Sequence, residues 1–244
     1  MAHTLPDYSS KWRNETIFGV ADMGELAARL NSIDKFDRRG NVIWMDDFEG
    51  ATNLWTLNGG AGYATALNAA VALAGSQSMK MTTGGIGGNN WAIIYRTLAY
   101  PVLSNIGFEI SSSWDDDVLY FYWQIFLWTG TTLMDPSIRY NDTTHELLYL
   151  DAANVYQVFA TNVDMDLNAN SFNTCKLVID FVNGYYQRFI FNNVTYDLSA
   201  YPCRQAASAT RARLRVLFSQ YADGVTTPSI YADNAIVTQN EEAQ

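Results

Sequence analysis

Residues 118–128, Val-Leu-Tyr-Phe-Tyr-Trp-Gln-Ile-Phe-Leu-Trp, form the longest apolar run of this 244-residue chain. The run is too short to cross a bilayer as a helix, which takes about 20 residues, and it contains Gln124, so a β-strand is expected. A period of two splits it into two unlike faces. Leu119, Phe121, Trp123, Ile125 and Leu127 make one wholly apolar face, fit only for a core. Val118, Tyr120, Tyr122, Gln124, Phe126 and Trp128 make the other, apolar in area yet supplied with hydroxyl, amide and indole groups. That second face is either covered by other parts of the chain or a site for a sugar or a protein partner. Burial is the expectation for Tyr120, Tyr122 and Trp128, because such rings left in water form an aggregation-prone patch.

Turn chemistry cuts the rest of the chain into pieces of strand length. Residues 41–50 read as the first strand, 78–82 alternate, 91–98 are extended, and another strand begins at Phe108. The stretch 141–145 is a hairpin connection between 137–140 and 146–150, and Asn183-Gly184 offers two-residue turn chemistry between 176–181 and 185–191. Asn192-Asn193 then turns into 194–198, and a last strand covers 229–237. Arg211, Arg213 and Arg215 alternate with Ala212, Leu214, Val216 and Phe218, which puts the arginines on the solvent face of a half-buried strand, either solvated or meeting carboxylates of a partner. The glycines of 84–88 lead into an extended segment and not a helix, so no phosphate-cradling loop is read there. The fold class is all-β: a sandwich over residues 41–240, a polar tail at 241–244, and an N-terminal extended arm of residues 1–40 containing one short helix. Asp22-Met-Gly-Glu25 caps that helix, and Trp12, Phe18, Met23, Leu26 and Leu30 give the arm an apolar stripe for docking on its own domain or on a neighbouring subunit.

A net charge of −10 with four lysines argues against nucleic acid and against an anionic membrane surface. No signal-type apolar run interrupts the charges of residues 1–30, so synthesis in the cytosol is expected, with Cys175 and Cys203 as unpaired small hydrophobes. Catalysis is not expected. His3 and His145 have no partnered Ser or Cys nucleophile, Asp115, Asp116 and Asp117 read as a loop, and Asp164 and Asp166 sit in an irregular segment. The Asn-x-Ser/Thr positions Asn14, Asn141 and Asn193 read as plain turn or strand residues.

The segments Asp46-Asp-Phe-Glu-Gly50, Trp55, Gly75-Ser-Gln-Ser-Met-Lys80 and Ile230-Tyr-Ala-Asp-Asn-Ala-Ile-Val237 resemble galactose-binding-domain-like jelly rolls, which include several carbohydrate-binding module families. The resemblance spans about residues 42–238 and implies a jelly-roll β-sandwich whose opening and closing strands lie together. It also implies a structural calcium ion held by Asp47, Glu49 and Asp233, hard oxygen ligands of the kind calcium takes, and the three are expected to converge where the first and last strands meet, around calcium or around backbone amides. The whole chain, with its arm, resembles accessory structural proteins of tailed-phage virions. The resulting expectation is a non-catalytic decoration subunit of a virion that is a homo-oligomer and binds other capsid or tail subunits through its arm. The alternative is a carbohydrate-binding module that recognises a glycan with Tyr120, Tyr122, Gln124 and Trp128.

Overall fold

A computed structural model describes residues 39–85, 90–114, 118–165, 168 and 170–243. The expected arm, with its helix and with Trp12, Phe18, Met23, Leu26 and Leu30, lies outside the described residues, as do Asp115 to Asp117 and Asp166. Among the described residues the strands run, in chain order, β1 (Asn41–Asp46), β2 (Thr56–Gly59), β3 (Ala64–Asn68), β4 (Ser78–Thr82), β5 (Asn90–Leu98) and β6 (Asn105–Trp114). They continue as β7 (Tyr120–Trp128), β8 (Thr132–Met134), β9 (Ser137–Asn141), β10 (Glu146–Leu150), β11 (Tyr156–Ala160) and β12 (Asn173–Asp180). The series closes with β13 (Tyr185–Phe191), β14 (Val194–Asp197), β15 (Gln205–Ala207), β16 (Arg213–Ala222) and β17 (Ser229–Gln239).

The strands form two antiparallel sheets. The first has the order β14-β13-β12-β6-β17-β4-β3, and the second β11-β10-β9-β7-β16-β5-β2, with β8 pairing both β7 and β15. Their facing sides bury one core, and the architecture is a jelly-roll β-sandwich. The apolar face of β7 lies fully in it: Phe121, Trp123, Ile125 and Leu127 are each inaccessible to solvent. Two ring contacts tie the layers, Phe121 to Trp114 of β6 at 4.5 Å between centroids and Trp123 to Phe189 of β13 at 5.4 Å.

The opening and closing strands do lie together. β4 and β1 pair the same edge of β17 in succession, β4 from Ser229 to Ala232 and β1 from Ala235 to Gln239. The changeover falls at Asp233 and Asn234, where the register against β6 shifts and Asn234 takes φ +50°.

One local expectation needs correction. The connection between β12 and β13 is four residues, 181–184, and not a two-residue turn. The Asp180 carboxylate accepts the amides of Val182 and Asn183, drawing the chain round before Gly184, which takes φ +75°. The polar tail, for its part, includes a residue tied into the sheet. Glu241 is buried and accepts from Lys176 Nζ at 2.8 Å, Arg188 Nη2 at 2.5 Å and the Thr238 hydroxyl at 2.5 Å, on the outer side of the first sheet.

Candidate functional site: the outer face of the second sheet

The residues of β7 that point away from the core sit mid-sheet, so the register fixes their neighbours. Across β7 and β16, Tyr120 faces Tyr221, Tyr122 faces Ser219, Phe126 faces Arg215 and Trp128 faces Arg213. On the other side Tyr122 faces Arg139 of β9, and β5 adds Trp91 and Tyr95 beyond Tyr221 and Leu217. Tyr156 of β11 reaches the same face, its ring 5.9 Å from that of Tyr122. The result is one sheet face carrying Trp91, Tyr95, Tyr120, Tyr122, Phe126, Tyr156 and Tyr221, each half-buried.

Burial therefore departs from the expectation. Tyr120, Tyr122 and Gln124 keep part of their surface in water, and only Trp128, at 8% exposure, is buried. The covering groups are guanidiniums: Arg213 lies 4.6 Å and Arg215 5.2 Å from the Trp128 ring centre, while Phe126 stacks on it at 5.6 Å. Arg215 also lies 4.2 Å from the Tyr95 ring and donates from Nε to the Thr97 hydroxyl at 3.2 Å. The guanidiniums of β16 thus lie over aromatic rings, within cation–π distance of them. Trp128 is their platform.

A second such arrangement centres on Arg139, 4.8 Å from the Tyr120 ring and 4.2 Å from that of Tyr156. Burial raises the Tyr122 hydroxyl above the usual tyrosine range, Arg139 partly opposing it, and pushes Tyr156 up to about 12. Both phenols are therefore neutral hydrogen-bonding groups at physiological pH. Burial lowers Arg215 from its ordinary value, and the neighbouring Arg213 charge adds to that. Sequence reasoning missed Arg139, Trp91, Tyr95, Tyr156 and Tyr221. The available signal was period-two alternation, Ile138 and Tyr140 buried on either side of Arg139, and Ala92 and Ile94 buried between Trp91, Ile93 and Tyr95.

Of Asp47, Glu49 and Asp233, the last two gather around the backbone amides of one loop, the alternative to a calcium ion, and among the described residues no three His, Cys, Asp or Glu side chains are grouped to hold a metal ion. Asp47 is exposed and accepts the Glu49 amide at 3.1 Å. The other two carboxylates clamp one loop. Glu49 accepts the amides of Ser76 at 2.7 Å and Gln77 at 2.9 Å plus the Ser76 hydroxyl at 2.6 Å, while Asp233 accepts those of Leu73 at 2.8 Å and Ala74 at 3.3 Å. Hydrogen bonds from the Ser76 hydroxyl first, and from the Gln77 and Ser76 amides, hold Glu49 below the usual carboxylate range, whereas burial pushes Asp233 up to about 6. The motif's aromatics are structural as well: Phe48 stacks on Trp55 at 5.8 Å, and the Trp55 indole donates to Asp46 at 2.9 Å.

His145 is engaged by the Tyr140 hydroxyl at 3.0 Å and lines a shallow depression with Asn162 and Asp164. Cys175 and Cys203 are free, buried thiols, and burial raises both well above the ordinary thiol value.

No family model matches the chain, and no curated protein sequence matches it. Solved structures do share its fold. One is an endo-β-1,4-glucuronan lyase from the fungus Trichoderma reesei, 12% identical with a TM-score of 0.58, covering 82% of this chain and 96% of that one. Another is the cellulose induced protein Cip1, 13% identical with a TM-score of 0.51, covering 82% and 99%. At these identities the likeness is one of fold. It places the chain among jelly-roll sandwiches, and it lends the expected virion decoration subunit no support.

Proposed function

We propose that this chain is a non-catalytic glycan-binding sandwich that takes a polysaccharide along the outer face of its second sheet. The observation that carries the reading is the row of half-exposed rings, Trp91, Tyr95, Tyr120, Tyr122, Phe126, Tyr156 and Tyr221, on one continuous face. Rings with two torsions offer flat apolar area at low entropic cost, and the apolar faces of pyranoses match it. Gln124 and the tyrosine hydroxyls supply the interspersed polar groups that orient a ligand. An aromatic face of this extent left partly open to water is itself a mark of a binding surface. That a glucuronan lyase shares the fold is in keeping with a polysaccharide ligand.

That the chain does not hydrolyse its ligand is argued from the acids. Glycoside hydrolysis takes two carboxylates flanking the scissile bond. The register places a single described carboxylate, Glu146, on this face, at its end opposite Asn141, and its Oε2 already accepts the Thr144 hydroxyl at 2.7 Å.

The test is affinity electrophoresis of the full chain through gels containing a panel of soluble polysaccharides, with Tyr120→Ala and Tyr122→Ala alongside. Retardation by at least one polymer, reduced in both variants at unchanged melting temperature, is the expected result. No retardation by any polymer would sink the glycan reading, and shortening of a bound polymer by the pure chain would sink its non-catalytic part.

A further inference from the structure

We infer that the glycan is anionic, a polymer of sugars bearing carboxylates, and that Arg139, Arg213 and Arg215 are the groups that bind those carboxylates. This rests on the glycan reading above and names the class of ligand.

The chain treats its basic side chains in two different ways. Arg188 and Lys176 share Glu241, and Arg204 is paired with Asp135. Arg139, Arg213 and Arg215 have rings and, among the described residues, no carboxylate partner. The Nε atoms of Arg139 and Arg213 are buried without a hydrogen-bond acceptor. In a protein of net charge −10, with 25 acidic residues available, three half-buried arginines on one face with rings and hydroxyls for partners and no carboxylate call for an explanation beyond internal stability. Stacking a guanidinium on a ring contributes about 0.5–1 kcal/mol at an exposed site, and an aliphatic side chain would cover the ring as well without bringing a charge out of water. Arg213 and Arg215 also stand close enough to share one ring, Trp128, so their charges repel. A bound anion relieves that repulsion.

The spacing suits a polymer. Arg139 faces Tyr122 and Arg215 faces Phe126, four residues along β7, which is roughly 13 Å at the strand rise, and Arg213 lies a further two residues on. The positive groups therefore flank β7 on both sides over a span several sugars long, with half-buried rings between them. A guanidinium fork presents paired donors that match a carboxylate. The acids near this face, Glu146 and Asp223, gather at its Tyr120 and Tyr221 end, so the bound chain has a charged end and a less charged end. A nucleic acid fits poorly: its dense phosphates would meet three cations on a protein whose overall field repels them.

The experiment compares one uronic acid polymer with the same polymer after reduction of its carboxyl groups to alcohols. Both are titrated into the full chain by calorimetry at low and raised salt, with a single-stranded nucleic acid as a third probe. The acidic polymer is expected to bind, weakening as salt rises, and its reduced form to bind at least tenfold more weakly. Arg213→Gln and Arg139→Gln should each lose about tenfold or more for the acidic polymer and change little for the reduced one. Arg213→Lys should fall between, because it keeps the charge without the fork. Arg211→Gln, an exposed residue outside the stacks, should bind like the parent. Equal binding of both polymers would overturn the anionic inference and leave the glycan reading standing. Full affinity in the arginine variants would overturn the site, equal affinity for the nucleic acid would overturn the ligand class, and no binding of either polymer would sink both readings.

Discussion

Replacing Trp128 with Ala separates a ring that supports the site from a ring that touches ligand. Trp128 is 8% exposed, stacked on Phe126 and capped by Arg213 and Arg215. Truncating a buried Trp costs about 3–5 kcal/mol. The cavity here would open on a sheet's outer side, where two long arginine side chains can fold inward, so the lower end applies: about 3 kcal/mol. For a chain of this length that lowers the melting temperature by about 6–12 °C. Circular dichroism on heating measures it. Below the transition the folded variant should bind acidic polysaccharide at least tenfold more weakly, because both guanidiniums lose their platform. Trp123→Ala is the control, since that ring packs on Phe189 and Phe218 inside the sandwich. It should lose at least as much stability and bind normally while folded. A Trp128→Ala protein with parental melting temperature and no glycan binding would show Trp128 to be a sugar platform, and one with reduced stability but full binding would show that the arginines do not depend on it. Either result refutes the supporting role.

Glu241→Gln should destabilise by about 3 kcal/mol in urea unfolding, because it leaves Lys176 and Arg188 buried without their shared carboxylate. A change below 1 kcal/mol would mean that other groups neutralise them. Asp233 gives a pH signature with a definite sign. Its folded pKa, near 6, lies above the ordinary 3.8, so the native state binds the extra proton between these values, and this residue's contribution to stability falls as pH rises from about 4 to 6. The stability of the parent relative to Asp233→Asn should therefore decline over that window and level off above it. A relative stability that rises with pH would show a counter-charge at Asp233, as a bound cation would provide.

Most of the sandwich was legible because its longer strands carry strong local patterns. β7 alternates strictly between half-buried and buried positions over most of its length, while β12, β13 and β17 are buried along almost their whole length. The short strands β2, β3, β8, β11 and β15 were not legible, since they lie at or near sheet edges with exposed positions and too few residues to show a period. The aromatic side of β7 was visible as a candidate site, but its state was not. Whether Trp128 is covered depends on its register with Arg213, 85 positions away in sequence, and the alternation around Arg139 in β9 marks its face but not the rings it meets there. The acidic motif was legible as a meeting point but not in its chemistry: Glu49 and Asp233 do meet near one loop, where backbone amides take up oxygens that, from sequence, could equally ligate a metal.

The most direct measurement is a crystal structure of the chain with a short uronic acid oligosaccharide. The account predicts sugar rings lying over Tyr120, Tyr122 or the Trp91 and Tyr95 pair, with carboxylates within hydrogen-bond distance of Arg139 and of Arg213 or Arg215. Oligosaccharide bound elsewhere, for example in the depression beside His145, Asn162 and Asp164, with the outer face of the second sheet empty, would contradict it.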